Sequence, residues 1–179
     1  MPTDEYGKTG KERYIDSTLP DQRMLGEAQW AWLEEELKKP ADLRLLVSSI
    51  QVTPDDHGWE SWDKLPAERD RLYTLLKETD AKGVVMLSGD RHTAFLYKDE
   101  DRGDYPYYEL TASSLNQAFA RDPVSTEYDS RQIGDGYTPG NYGVVDIDWD
   151  NKAIMLTIKS ETGEDVHAVG FQFDEIEAG

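Results

Sequence analysis

The sequence predicts an α/β fold, a mixed sheet with helices against it and an antiparallel C-terminal part. Three observations carry that expectation. The middle of the chain alternates helical and strand patterning, which favours an α/β layer arrangement. The last part is a succession of strands separated by hairpin turn signals. A length of 179 residues, 37% of them hydrophobic, suits one core.

Residues 1–23 are polar, rich in Gly, Pro and charge, and read as an irregular arm; the domain proper runs over 24–179. From Leu25 to Leu37 the apolar spacing is helical, with Leu25, Ala28, Gln29, Trp32, Leu33 and Leu37 near one face, and Pro40 stops it. Leu43 to Val52 is short, apolar and β-branched, a buried strand. Pro54-Asp55-Asp56-His57-Gly58 is turn chemistry, and the aromatic loop Trp59-Glu60-Ser61-Trp62-Asp63 follows it. Pro66 to Thr79 reads as a second helix, with Pro66 in its first turn and Leu72, Leu75 and Leu76 inward. Val84 to Leu87 is the next strand. Ala94–Tyr97, Tyr107–Thr111, Tyr142–Ile147, Ala153–Ile158 and Ala168–Phe173 have strand character and should form an antiparallel sheet that continues the layer. Residues 116–141 are a long polar connection, either a lid or mobile.

Acidic residues outnumber basic ones by 37 to 19, a net charge of -18, which is the wrong balance for nucleic-acid binding. Such a surface keeps a protein soluble, and adaptation to high salt also fits. It repels free phosphate, so phosphate chemistry needs a local cation. The absence of cysteine excludes disulfides, thiolate ligands and cysteine nucleophiles. No apolar run approaches membrane-span length. The start, Met1-Pro2-Thr3-Asp4-Glu5, lacks signal-peptide features, so the expectation is a cytoplasmic protein or a piece of a longer precursor.

The most informative feature is Gly89-Asp90-Arg91-His92, directly after the strand at 84–87. A carboxylate and an imidazole two residues apart at a strand end are a way to aim two metal ligands at one point, because α/β ligand sites lie beyond the carboxyl ends of strands. Their chemistry suits zinc, iron or manganese, and the Asp also calcium. The same pair also suits a turn cap and a hydrogen-bonded histidine at a strand edge. Two ligands do not close a centre that takes about four or more. The aromatic loop follows a strand in the same way, so both open on one edge of the sheet. There Trp62 either walls a substrate pocket or covers the core, and Asp63 or Glu60 is an acceptor for a metal-bound histidine. Trp59 covers a core edge. Arg69 and Arg71 pair with Glu68 and Asp70 along their helix rather than clamp a phosphate. His57 reads as an exposed loop residue, His167 as structural, and Asp99–Asp104 as a solvated turn. Neither a phosphate-cradling glycine loop nor a Gly-x-Ser-x-Gly elbow is present.

Several segments, in order, resemble a known family: Met24-Leu25-Gly26-Glu27-Ala28-Gln29-Trp30, Glu60-Ser61-Trp62-Asp63 with Pro66-Ala67-Glu68-Arg69, Leu87-Ser88-Gly89-Asp90-Arg91-His92, Glu109-Leu110-Thr111-Ala112-Ser113-Ser114 and Gly143-Val144-Val145-Asp146. Together they resemble the C-terminal half of alkaline phosphatase D (PhoD-like) metallophosphatases, in the calcineurin-like phosphoesterase superfamily. The resemblance implies part of an αββα sandwich with a multinuclear metal centre at the strand ends. It implies hydrolysis of small phosphate mono- or diesters using iron with calcium, with zinc or manganese as alternatives. It places Asp90 and His92 in the last metal-binding motif, each contacting a different metal, and Gln51 where relatives often carry a ligating histidine; Trp62, Asp63 and Gln51 are the candidate substrate-binding residues. Family members are often exported. The superfamily's earlier motifs, Asp-x-His, Gly-Asp-x-x-Asp and Gly-Asn-His-Asp/Glu, do not occur before residue 50. The expectation is therefore an incomplete phosphoesterase segment, weakly active or inactive alone, either a truncated product or one fragment of a pair with a complementing N-terminal half. The alternative is a non-catalytic binding module that self-associates to cover its exposed faces.

Overall fold

The computed structural model describes residues 14, 16–17, 19, 22–55, 57–118 and 129–177. Most of the arm expected at 1–23 lies outside them. Its described part packs inward, with the Ser17 amide donating to Lys64 O at 2.8 Å.

The first helix, α1 (Glu27–Leu37), starts where the Gln29 side chain turns back to accept from the Gly26 amide at 3.0 Å. Its buried stripe is Trp30, Leu33 and Leu37, at helical spacing. Trp32, expected on that face, is 62% exposed, whereas Trp30 is 2% exposed. The choice follows from partners: the Trp30 ring meets Trp62 edge-on at 6.3 Å, and its indole N–H donates to Glu68 Oε2 at 3.3 Å. The second helix, α2 (Pro66–Glu78), buries Leu72, Tyr73 and Leu76. Glu68 on α2 also accepts the amides of Met24 and Leu25, so its carboxylate ties the entry of α1 to α2.

Four strands form the first sheet: β1 (Arg44–Val47), β2 (Val84–Ser88), β3 (Ala94–Asp99) and β4 (Tyr107–Ala112). Their order is β1-β2-β4-β3, with β1, β2 and β4 parallel and β3 antiparallel to β4. The strand expected over 43–52 stops at Val47, because the chain then turns and the Ser48 hydroxyl donates to Ile50 O at 2.7 Å. Gly83 lets β2 begin: its φ is 66°, and a Cβ there would lie 2.3 Å from Asp42 O. The remaining strands, β5 (Asn141–Asp148), β6 (Ala153–Ser160) and β7 (Asp165–Gln172), form a separate antiparallel meander. The expectation that they continue the first layer is corrected. Only β3 and β4 extend it, and the meander packs face to face on it as a second sheet.

Adjacent residues of β4 show the layering. Tyr107 points to the helices, 5.4 Å from the Tyr73 ring, while Tyr108 stacks flat on Phe171 of β7 at 3.8 Å. The core between the sheets holds Leu110, Ile154, Leu156 and Ile158. A Cβ on Gly143 would lie 2.8 Å from Leu110 Cδ2, so the sheets approach closely there. The result is a helix–sheet–sheet stack, an α/β fold with one mixed and one antiparallel sheet.

Residues 119–128 of the connection expected to be a lid or mobile lie outside the described part. Its later residues are pinned: Ile133 N donates to Leu96 O, and Ala94 and Tyr137 exchange both backbone hydrogen bonds, covering the outer edge of β3. The opposite edge differs. β1 ends the sheet with Val47 76% and Leu45 43% exposed. No helix among the described residues is long and apolar enough to cross a membrane.

Replacing Phe171 by Ala removes the ring that joins the two sheets. The expected loss is about 3–5 kcal/mol, read as a lower urea midpoint at unchanged slope.

Candidate functional site

The carboxyl ends of β2 and β4 lie side by side in parallel register, Ser88 opposite Thr111. Two residues on, the chain after β2 turns through Asp90 and His92, both at positive φ, 64° and 51°. The glycine before them is not what shapes the turn, since a Cβ on Gly89 would meet only ordinary contacts at 3.5 Å and beyond. Ser113, just past β4, accepts the amides of Arg91 at 3.0 Å and His92 at 2.9 Å. Asp90 is exposed and His92 half-buried. His92 Nδ1 lies 3.2 Å from Gln117 O; a carbonyl only accepts, so Nδ1 is the donor, and in the neutral ring the lone pair is on Nε2. That is the orientation of a ligating imidazole.

Beneath this turn lies a buried polar network. Glu109, fully buried in β4, accepts the amides of Val52 and Thr53 and the Ser88 hydroxyl. Gln51 is fully buried beside it and donates through Nε2 to Thr111 Oγ1 and Tyr97 OH, at 3.0 and 3.2 Å. Burial, with the Glu109 charge behind it, pushes the Tyr97 phenol above its usual range. Gln51 thus sits under the strand ends rather than at their surface.

Trp62 and Asp63 occupy a short 3-10 turn and are 5% and 7% exposed. The Trp62 indole donates to Ser48 Oγ at 2.9 Å, and Asp63 pairs with Lys64 and Arg69 at 2.8 and 3.2 Å. Arg69 therefore does not pair along its own helix. It reaches Asp55, which also takes Arg102 and Arg131 at 2.9 and 2.5 Å. Arg71 goes to Glu27 on α1. Asp99, expected in a solvated turn, is fully buried and pairs with Arg102 at 2.6 Å. Burial works against the charge of Asp55, but hydrogen bonds and charge from Arg69, then Arg131 and Arg102, hold its carboxyl well below the usual range. Asp129 follows the same balance, with Arg131 lowering it.

His57 is corrected too: it is 7% exposed, not an open loop residue. Its Nδ1 lies 3.4 Å from the guanidinium of Arg91, which brings the loops after β1 and β2 together, as their shared position at strand ends implies. Burial, then the charges of Arg91 and Lys64, push its pKa down to about 3 against the pull of Asp129 and Asp55.

Asp90 and His92 have the chemistry of metal donors, and the His92 geometry fits that role. They remain a partial set, because no group of three or more His, Asp or Glu side chains placed to hold an ion occurs among the described residues. A groove of about 860 Å³ lies elsewhere, at the Asp148 end of β5 with Met155 and Gly170 on its floor. Ser114 bridges to Asn141 at the other end of β5, so the groove and the Asp90–His92 turn are at opposite ends of the stack. The sequence signals for the missed residues were slight: a Glu inside the apolar run Tyr107–Thr111, and a Ser two places beyond it.

The His57 geometry has a consequence for stability. The folded state holds His57 neutral, so its contribution is complete above the ordinary value of 6.5 and is lost as pH falls toward about 3. The slope reaches about 1.4 kcal/mol per pH unit at most. His57→Gln should flatten the urea midpoint between pH of about 6.5 and 4.5; parallel profiles would assign the slope to another group.

Comparison with known proteins agrees with this architecture. Residues 4–154 match the family of PhoD-like phosphatases. Alkaline phosphatase D of Bacillus subtilis (strain 168) is 29% identical over 89 residues, 45% of this chain and 15% of that protein. The solved structure of PhoD shares the fold, with a TM-score of 0.58 at 19% identity over 83% of this chain and 36% of that one. The chain thus spans well under half the length of either relative. With the family match covering most of its length, the chain belongs to the PhoD-like phosphatases.

Proposed function

We propose that this chain is the C-terminal section of a metal-dependent phosphoesterase domain that hydrolyses small phosphate mono- or diesters. The observation that carries the reading is the turn at the ends of β2 and β4, which carries Asp90 and His92 two residues apart, both at positive φ, with His92 Nδ1 against a carbonyl. Asp90 and His92 would hold metal, iron with calcium first and zinc or manganese next. Such ions, when bound, activate a water for in-line attack and offset charge on the phosphoryl oxygens. A local cation also overcomes the repulsion between phosphate and a chain of net charge -18. This chain's own part is to supply and orient two donors. Trp62 and Asp63 act from beneath the substrate pocket, through the loop they anchor, and Gln51 acts through the network under Ser88. The remaining donors come from further sequence of the PhoD-like type, and no step of turnover is assigned to this chain alone. The test is hydrolysis of p-nitrophenyl phosphate and its bis-ester with added iron, zinc, manganese or calcium. The expected result is negligible turnover, with metal binding that is lost in Asp90→Ala and His92→Ala. Robust turnover abolished by either substitution would show a whole site within this chain.

Among the described residues no strand pairs with the outer edge of β1, which favours a second reading, a self-associating module without turnover. Parallel sheets are normally covered on both faces and edges, and Leu45 and Val47 are exposed. Light scattering should then find oligomers that Val47→Lys converts to monomers. A monomeric wild type rejects this reading.

A further inference from the structure

The Asp90–His92 turn is costly to form. Residues with a Cβ avoid the left-handed region, yet this turn places two of three consecutive residues there, neither a glycine. Such conformations persist only where the surroundings over-determine them, and they cluster at functional sites. Besides the side-chain contacts of Arg91 and His92, one hydroxyl takes hold of the turn's backbone. A serine hydroxyl has one donor and two acceptor sites. Ser113 Oγ accepts the Arg91 amide at 3.0 Å and the His92 amide at 2.9 Å, and lies 3.4 Å from Thr93 O, to which it donates. All its capacity is spent on three successive backbone groups of the turn. The parallel register that sets Ser88 opposite Thr111 delivers Ser113 to that place.

We propose that Ser113 is the positioning residue of this site. Its hydroxyl fixes the left-handed turn from which the Asp90 carboxylate and the His92 imidazole are presented as metal donors. The inference rests on the reading of those two side chains as metal donors. Ser113 itself touches neither metal nor substrate; it acts through the backbone of the residues that do.

The experiment uses the full chain as wild type, Ser113→Ala, Ser113→Thr and His92→Ala. Amide hydrogen exchange is followed by NMR, and Mn²⁺ binding by calorimetry. In Ser113→Ala the Arg91 and His92 amides should exchange at least about tenfold faster, while the Leu156 and Ile158 amides of β6 keep their wild-type rates. Mn²⁺ affinity should fall about tenfold or more, the usual effect of losing a group that orients a ligand. Ser113→Thr should restore both, and His92→Ala should lose binding with the Ser113 hydrogen bonds intact. Unchanged exchange at 91 and 92, or a uniform acceleration throughout the chain, would overturn the proposal. A wild type that binds no Mn²⁺, Fe²⁺ or Zn²⁺ would instead overturn the metal reading, and with it the metal-donor half of the proposal. The exchange rates would still decide whether Ser113 holds the turn.

Discussion

At the centre of the first sheet a carboxylate is buried among backbone amides. Glu109 accepts from Val52 and Thr53, which follow β1, and from Ser88, which ends β2. A charge in the interior is tolerated only when its acceptor sites are filled, so these three donors must stay where they are. The turn after β1 is thereby fastened to the residue from which the Asp90–His92 turn departs. Above the strand ends, the contact between His57 and Arg91 joins the same two loops a second time. Thr111 and Gln51 extend the Glu109 bond set sideways, through 2.8 Å between the Ser88 and Thr111 hydroxyls and 3.0 Å between Gln51 and Thr111. A network of this kind specifies one arrangement because few others satisfy all its members.

Much of the architecture was legible because it is written in local pattern. The helices at 27–37 and 66–78 and the strands at 84–88, 94–99 and 107–112 follow from periodicity and from the proline and glycine boundaries. Periodicity did not tell Trp30 from Trp32. Both lie near the apolar stripe, and the decision was made by Trp62 and Glu68, far away in sequence. Nor did pattern separate one sheet from two, since the meander's strands look alike whether they extend a layer or cover it. The pair Asp90 and His92 was visible in the chain, but the left-handed backbone that presents it was not, because Asp and His occupy many conformations. Ser113 belongs to the same class: its role depends on a parallel register that no short window contains.

The charge reading has a similar limit. An excess of acid suggested a solvated surface, and exposed pairs such as Lys38 with Glu34 agree. Three arginines, Arg69, Arg102 and Arg131, go instead to one aspartate between the turn after β1, α2 and the β3–β4 hairpin. Partly buried pairs are screened less than exposed ones, so this junction is less sensitive to ionic strength than the outer surface. Removing one partner leaves the others uncompensated, which gives the junction its directional rigidity and keeps 129–137 beside β3.

The meander has a consequence for how the molecule assembles. Its strands are joined by tight connections at 149–152 and 161–164, so each pairs with its immediate neighbour in the chain. The parallel ladder of β1, β2 and β4 instead unites segments separated by a whole helix or hairpin. Contacts close in sequence cost less loop entropy and form sooner. Residues 141–172 therefore close their sheet through short loops, whereas the sheet whose strand ends carry Asp90 and His92 must bring distant segments together.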